Sequence, residues 1–193
     1  MQEHIRQLFS ENIQTMIAAG ESLSDSLENA ALVIVHNLVS GGKVICCGDG
    51  ATAGLATHFA QLLLDKFETE RPCLPALALQ QYSNSLQQHQ QQDYLARQIK
   101  ALGQNNDVLL VVSASGSEPS LIKAVEAALT NDMKIVALTV EGSAELSGLL
   151  NQQDVELKVP AHRPARIFEC FTFVLHSLCE VIELTLFPQQ GDV

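Results

Sequence analysis

At 193 residues and 47% hydrophobic, the chain has room for one domain with a buried core and is too apolar to be disordered. A formal net charge of -11 excludes the basic surface that direct binding to nucleic acid needs. No apolar run reaches the length of a membrane span, and the polar start lacks the charged-then-apolar order of a signal peptide, so the expected location is the cytoplasm.

The first forty residues read as two helices. Ile5, Leu8, Phe9, Ile13, Met16 and Ile17 fall at three- and four-residue steps. Gly20 fits a helix stop, and Ser24 or Asp25 fits the cap of a second helix. That helix carries Leu27, Ala31, Ile34 and Leu38 and ends at Gly41-Gly42. A simple nucleotide-type fold does not require this pair, which suits packing against another copy of the chain.

Alternation follows. Strands are predicted at 43–47, 75–79, 107–112, 133–138 and 154–158, with helices at 52–66, 93–102, 118–130 and 143–149 between them. Strands apolar on both faces, such as Val108-Leu-Leu-Val-Val, suit a covered parallel sheet. The expected fold is α/β and doubly wound, with five parallel strands flanked by helices. As one domain it divides into an N-terminal helical pair (1–42), an α/β core (43–160) and a C-terminal helix (161–188).

Two of the strands run into small-residue turns. The first turn is Gly48-Asp49-Gly50-Ala51-Thr52, and the second is Ser113-Ala114-Ser115-Gly116-Ser117-Glu118. A strand, a small turn and a helix start point backbone N–H groups at an anion. Asp49 and Glu118 put negative charge where that anion would sit, a conflict worth several kcal/mol at low effective dielectric. Glu118 also suits the cap of the helix it precedes, because a carboxylate there complements the helix dipole. Thr52, Ser113 and Ser115 keep hydroxyls and are the candidate residual anion pocket.

Residues 80–92 are rich in glutamine and have no usable periodicity. They read as a loop, either a ligand lid or a segment under little constraint. The last helix, 163–186, is apolar nearly all round, from Ile167 and Phe168 to Ile182 and Leu184, which suggests burial on more than one side and an oligomer interface. Cys46, Cys47, Cys73, Cys170 and Cys179 are an odd set without zinc-type spacing and are expected to be reduced core residues. His58 and His176 are read as hydrogen-bonded core or interface histidines.

The strand–turn–helix with His58-Phe-Ala, followed by Ser113-x-Ser-Gly, resembles the SIS (sugar isomerase) domain of the phosphoheptose isomerase type. The resemblance covers nearly the whole chain. In the isomerase branch, it implies zinc held by a His, a Glu four residues later, a Gln, and a second His eight residues after the Gln. His58 and His176 match the two histidines, but Leu62 stands at the Glu position and Phe168 at the Gln position. Zinc needs three or four protein ligands, and isomerisation needs a positioned proton shuttle. No catalytic residue, metal or cofactor is therefore expected.

Residues 67–75, 131–139, 153–156 and 186–188 resemble a branch of the same family that associates with the replication initiator DnaA. That resemblance implies a homotetrameric adaptor that binds DnaA through Leu186 and Phe187 and promotes its assembly at the origin without touching DNA. Pro188 stops the last helix just after this pair. The residues alone allow the pair to be an exposed anchor or to fasten the last turn to its own core. Two alternatives stand beside the adaptor: a phosphoheptose isomerase with a rearranged site, and a non-catalytic phosphosugar sensor.

Overall fold

A computed structural model describes residues 1–79 and 92–188. All but the last residue of the glutamine-rich segment, and residues 189–193, lie outside the described residues.

The expected N-terminal pair is a single helix, α1 (Gln2–Val39), of 38 residues. Gly20 lies within it, and nothing stands within 4 Å of where its Cβ would be. Ser24, a predicted cap, instead donates back to the Gly20 carbonyl at 2.5 Å, and Ser26 does the same to Leu23 at 3.0 Å. A glycine inside a helix costs about 1 kcal/mol relative to alanine. Burial of Ala19, Leu23, Ala30, Ala31 and Ile34 outweighs that local cost. The helix ends where expected: Gly41 takes a φ of 84°, and Gly42 N–H bonds the Asn37 carbonyl at 2.9 Å.

The α/β core then runs β1 (Val44–Gly48), α2 (Thr52–Leu64), β2 (Ala76–Ala78), α3 (Tyr94–Leu102), β3 (Val108–Val112), α4 (Pro119–Thr130), β4 (Lys134–Val140), α5 (Ala144–Ser147), β5 (Val155–Val159) and α6 (Pro164–Leu186). Each element falls within two residues of its predicted bounds. The five strands are parallel, in the order β2-β1-β3-β4-β5. In register, Val44 lies beside Val108, and Val108 beside Lys134.

Side chains alternate along the buried strands and feed two cores. Val44, Cys46, Val108, Leu110 and Val112 face α1, α2 and α6. Ile45, Cys47, Leu109 and Val111 face α3, α4 and α5. This double coverage is why the strands read as unbroken apolar runs. At the lower end of the sheet, buried Asp107 accepts the Lys43 ammonium at 2.6 Å and the Lys43 and Gln104 N–H groups, tying the starts of β1 and β3 together.

The sheet order places a crevice where β1 and β3 lie side by side and their crossovers diverge. The first small turn follows β1 and the second follows β3. Both lie at the carboxyl edge of that crevice.

Candidate functional site: two small-residue turns and a tethered tail

In the first turn, buried Thr52 closes the loop on itself. Its Oγ1 accepts the Asp49 N–H and donates to the Asp49 carbonyl, both at 2.9 Å. Gly48 is required here, since a Cβ would lie 2.5 Å from the Thr52 carbonyl. The Asp49 carboxylate accepts the Ser120 hydroxyl from the first turn of α4, linking the two turns.

The second turn wraps a carboxylate. Glu118 Oε2 accepts the Ser113 hydroxyl at 2.5 Å, and Oε1 accepts the Ser115 N–H at 3.1 Å. Ser113 Oγ in turn accepts the Gly116 N–H at 2.7 Å. Gly116 sits at a φ of 74°, and a Cβ there would lie 2.3 Å from that of Ser143. The expected side-chain cap of α4 by Glu118 is not formed. The carboxylate turns back onto the loop, while the Glu118 carbonyl receives Leu121 and Ile122 N–H at 3.0 Å. A carboxylate can act as an internal anion because it accepts the same N–H and O–H donors as a phosphate oxygen.

Ser113 and Ser115 thus meet at one carboxylate, and Thr52 belongs to the neighbouring turn. Sequence reasoning missed Ser120. Its place directly after Pro119, at the start of a helix, was the available signal.

The two histidines also come together. His58 on α2 and His176 on α6 share a hydrogen bond between their Nε2 atoms at 2.8 Å, with ring centroids 5.1 Å apart. Phe67 lies against His176 at 5.3 Å. Leu62 packs against the core, and Phe168 leans on Phe171 at 6.4 Å. Zinc does not fit this arrangement. Two imidazole nitrogens on one tetrahedral zinc stand roughly 3.3 Å apart and need further donors. Leucine and phenylalanine supply none, and no group of three His, Cys, Asp or Glu suits a metal among the described residues.

Burial, and then the neighbouring His58, hold the His176 imidazole below its ordinary value of 6.5. The unfolded chain therefore takes up a proton there before the folded one does. The contribution to stability is complete above about pH 6.5 and is lost as pH falls through the depressed folded value. The melting temperature should fall between about pH 7 and about pH 5, and less steeply in a His176→Asn variant. Equal slopes in calorimetry would refute this.

Four cysteines are buried as expected, whereas Cys73 is exposed. Burial lifts the Cys47 thiol to about 12 and the Cys170 and Cys179 thiols to about 11, so these remain protonated.

At the other end of α6, Leu186 and Phe187 are half-buried and pack against the core, so the pair is partly fastened and partly open. One turn earlier, buried Glu183 accepts Arg71 Nε at 2.6 Å, Phe67 N–H at 3.1 Å and Thr69 Oγ1 at 3.3 Å. Arg71 spends its remaining donors on the carbonyls of Leu62, Leu63, Asp65 and Pro72, capping the end of α2. Sequence reasoning missed this ion pair too. Its only trace was the conspicuous 67–75 stretch.

Large apolar side chains stay exposed on the outside. Ile5, Phe9, Ile13 and Ile17 recur every fourth residue along α1, and Phe173 protrudes from α6. No helix among the described residues is long and apolar enough to cross a membrane.

A SIS domain pattern matches residues 8–140. The chain is 47% identical, over the full length of both chains, to the DnaA initiator-associating protein DiaA of Shigella flexneri serotype 5b. The protein of the same name from Escherichia coli K12 is also 47% identical over both full lengths. Among solved structures, a phosphoheptose isomerase from Francisella tularensis superposes with a TM-score of 0.86 at 35% identity, covering 94% of this chain and 97% of that one. Phosphoheptose isomerase GmhA from Neisseria gonorrhoeae gives 0.85 at 32%, covering 94% and 98%. With a superposable fold and similarity along its whole length, this chain belongs to the SIS-domain family and, within it, to the DiaA proteins.

Proposed function

We propose that this protein is a non-catalytic SIS-domain adaptor that binds the initiator DnaA as a homotetramer and promotes DnaA assembly at the chromosomal origin. The observation that carries the reading is that the Glu118 carboxylate already occupies the donors of the second turn, while the first turn is closed by Thr52 and its Asp49 carboxylate is held across to Ser120. Loss of the zinc and proton-shuttle side chains at Leu62 and Phe168 supports the same conclusion. The partner is inferred from the DiaA relatives, which are named for association with DnaA.

Leu186 and Phe187 supply the contact. They are apolar, adjacent and half-exposed at the end of a rigid helix, as an interface anchor should be. The apolar stripe on α1 and Phe173 supply the surface for self-assembly. A tetramer displays several Leu–Phe sites and so raises the local concentration of bound initiator. The net charge of -11 fits an adaptor that leaves DNA contact to its partner.

Phe187→Ala should weaken capture of purified DnaA at least about thirtyfold, as loss of a hot-spot aromatic does. Tetramer mass in light scattering should not change. Wild-type capture by both Phe187→Ala and Leu186→Ala would end the adaptor reading at this site.

A further inference from the structure

The end of α6 is held by a single residue acting twice. The Glu183 carboxylate is fixed from outside the helix by Arg71, the Phe67 N–H and Thr69. Its carbonyl accepts the Phe187 N–H at 2.8 Å, the last hydrogen bond of the helix. Residues three and four positions apart share a helix face. Leu186 and Phe187 therefore follow Glu183 on its side of the helix. Pro188 follows and can add no further N–H bond. Among the described residues the turn is also held by Thr185 Oγ1, which donates to the Val181 carbonyl at 2.7 Å, and by the partial packing of the two apolar side chains themselves.

The ion pair is also costly for a merely structural purpose. The Arg71 side chain is 1% exposed and that of Glu183 is 8% exposed. Two apolar residues of similar volume would fill the same space without burying charge, at the cost of the bonds to the α2 carbonyls and the Phe67 N–H, and buried pairs replaced in this way commonly leave stability unchanged or improved. A charged pair adds direction. Arg71 bridges the end of α2 to one rotational setting of α6, and that setting determines which sides of Leu186 and Phe187 face outward.

We propose that Arg71 and Glu183, with Phe67 N–H and Thr69, are positioning residues for the partner-binding tail. They hold Leu186 and Phe187 in the orientation that the initiator recognises. This rests on the adaptor reading above. Neither Arg71 nor Glu183 is placed to touch the partner: both are buried, and they act through the last turn of α6.

The test is a paired replacement, Arg71→Met with Glu183→Met, and a milder Glu183→Gln. Each is measured beside wild type and Phe187→Ala for light-scattering mass, amide hydrogen exchange and capture of purified DnaA. Mass and exchange across β1, β3 and β4 should match wild type in both variants. The amides of residues 184–187 should exchange at least about tenfold faster in the double variant, and DnaA capture should weaken by about tenfold, at temperatures well below melting. Glu183→Gln keeps an acceptor for Phe67 N–H but loses the charge, so it should fall between the two. A purely structural pair would change melting without this local loosening.

Unchanged exchange at 184–187 in both variants overturns the proposal, as does faster exchange with wild-type capture. If the double variant does not fold, Glu183→Gln decides by the same two readouts. If Phe187→Ala itself captures DnaA as wild type does, the adaptor reading fails at this site, and the exchange result alone then decides whether the pair orders the tail.

Discussion

Arg71→Ala is expected to lower the melting temperature by roughly 10 °C, the largest effect of any single substitution considered for this protein. The replacement removes every partner that neutralises Glu183. The carboxylate stays buried with only the Phe67 N–H and Thr69 hydroxyl against it. Breaking a buried pair in this way costs about 3–5 kcal/mol, several times the value of a surface ion pair. The carbonyls of Leu62 and Leu63 lose a donor at the same time. By contrast, Lys66 and Glu70 form an exposed pair four residues apart, and its loss should be barely measurable. The check is a double-mutant cycle in thermal unfolding. Arg71→Met combined with Glu183→Met should recover most of what Arg71→Ala loses. If the double variant were as unstable as the single, the penalty would lie in the lost α2 cap and not in a stranded charge.

Glu118→Ser should convert the second turn from self-satisfied to anion-binding. In the wild type, Ser113 Oγ and Ser115 N–H are committed to the Glu118 carboxylate. Serine in its place releases both donors and removes a like charge. A unit charge about 4 Å away is worth about 4 kcal/mol at an effective dielectric near 20, and solvent at the rim of the crevice discounts this to about 3. The gain in affinity for a sugar phosphate is then roughly a hundredfold. Wild type should show no thermal shift with about 10 mM sedoheptulose phosphate, while Glu118→Ser should be stabilised by it. Turnover is expected in neither, because Leu62 and Phe168 restore no proton shuttle. A clear ligand-induced shift in the wild type would favour the phosphosugar sensor over the adaptor. Equal and negligible binding by both would mean that Asp49, still present and bonded to Ser120, closes the crevice by itself.

The contrast between these two substitutions reflects where each carboxylate sits. Glu118 is five residues from Ser113 and three from Ser115, so one short turn contains the whole contact. Glu183 and Arg71 are 112 residues apart, and only the docking of α6 against α2 brings them together. The first acts on what the crevice binds. The second acts on what the last helix presents.

The alternation of strands and helices, the parallel doubly wound sheet, and the small-residue turns after β1 and β3 with a carboxylate in each are legible in the order of the residues. The resemblance to the isomerase branch also implied that His58, Leu62, Phe168 and His176 stand where that branch's zinc ligands would. Such features are local. A strand buried on both faces must be apolar throughout, and a turn closing on a helix N-terminus must be small. The remaining features come from packing between distant elements. That packing carried α1 straight through Gly20, because burial along one face outweighed a propensity cost of about 1 kcal/mol. It turned Glu118 away from the helix it precedes and joined Asp49 to Ser120 across 71 residues. It set His58 against His176 across 118 residues and paired Arg71 with Glu183. Periodicity reports which face of an element is buried but not what buries it. Hydrogen bonds between distant side chains follow from the register of the sheet and the packing of helices upon it, and these are fixed only when the whole chain has folded.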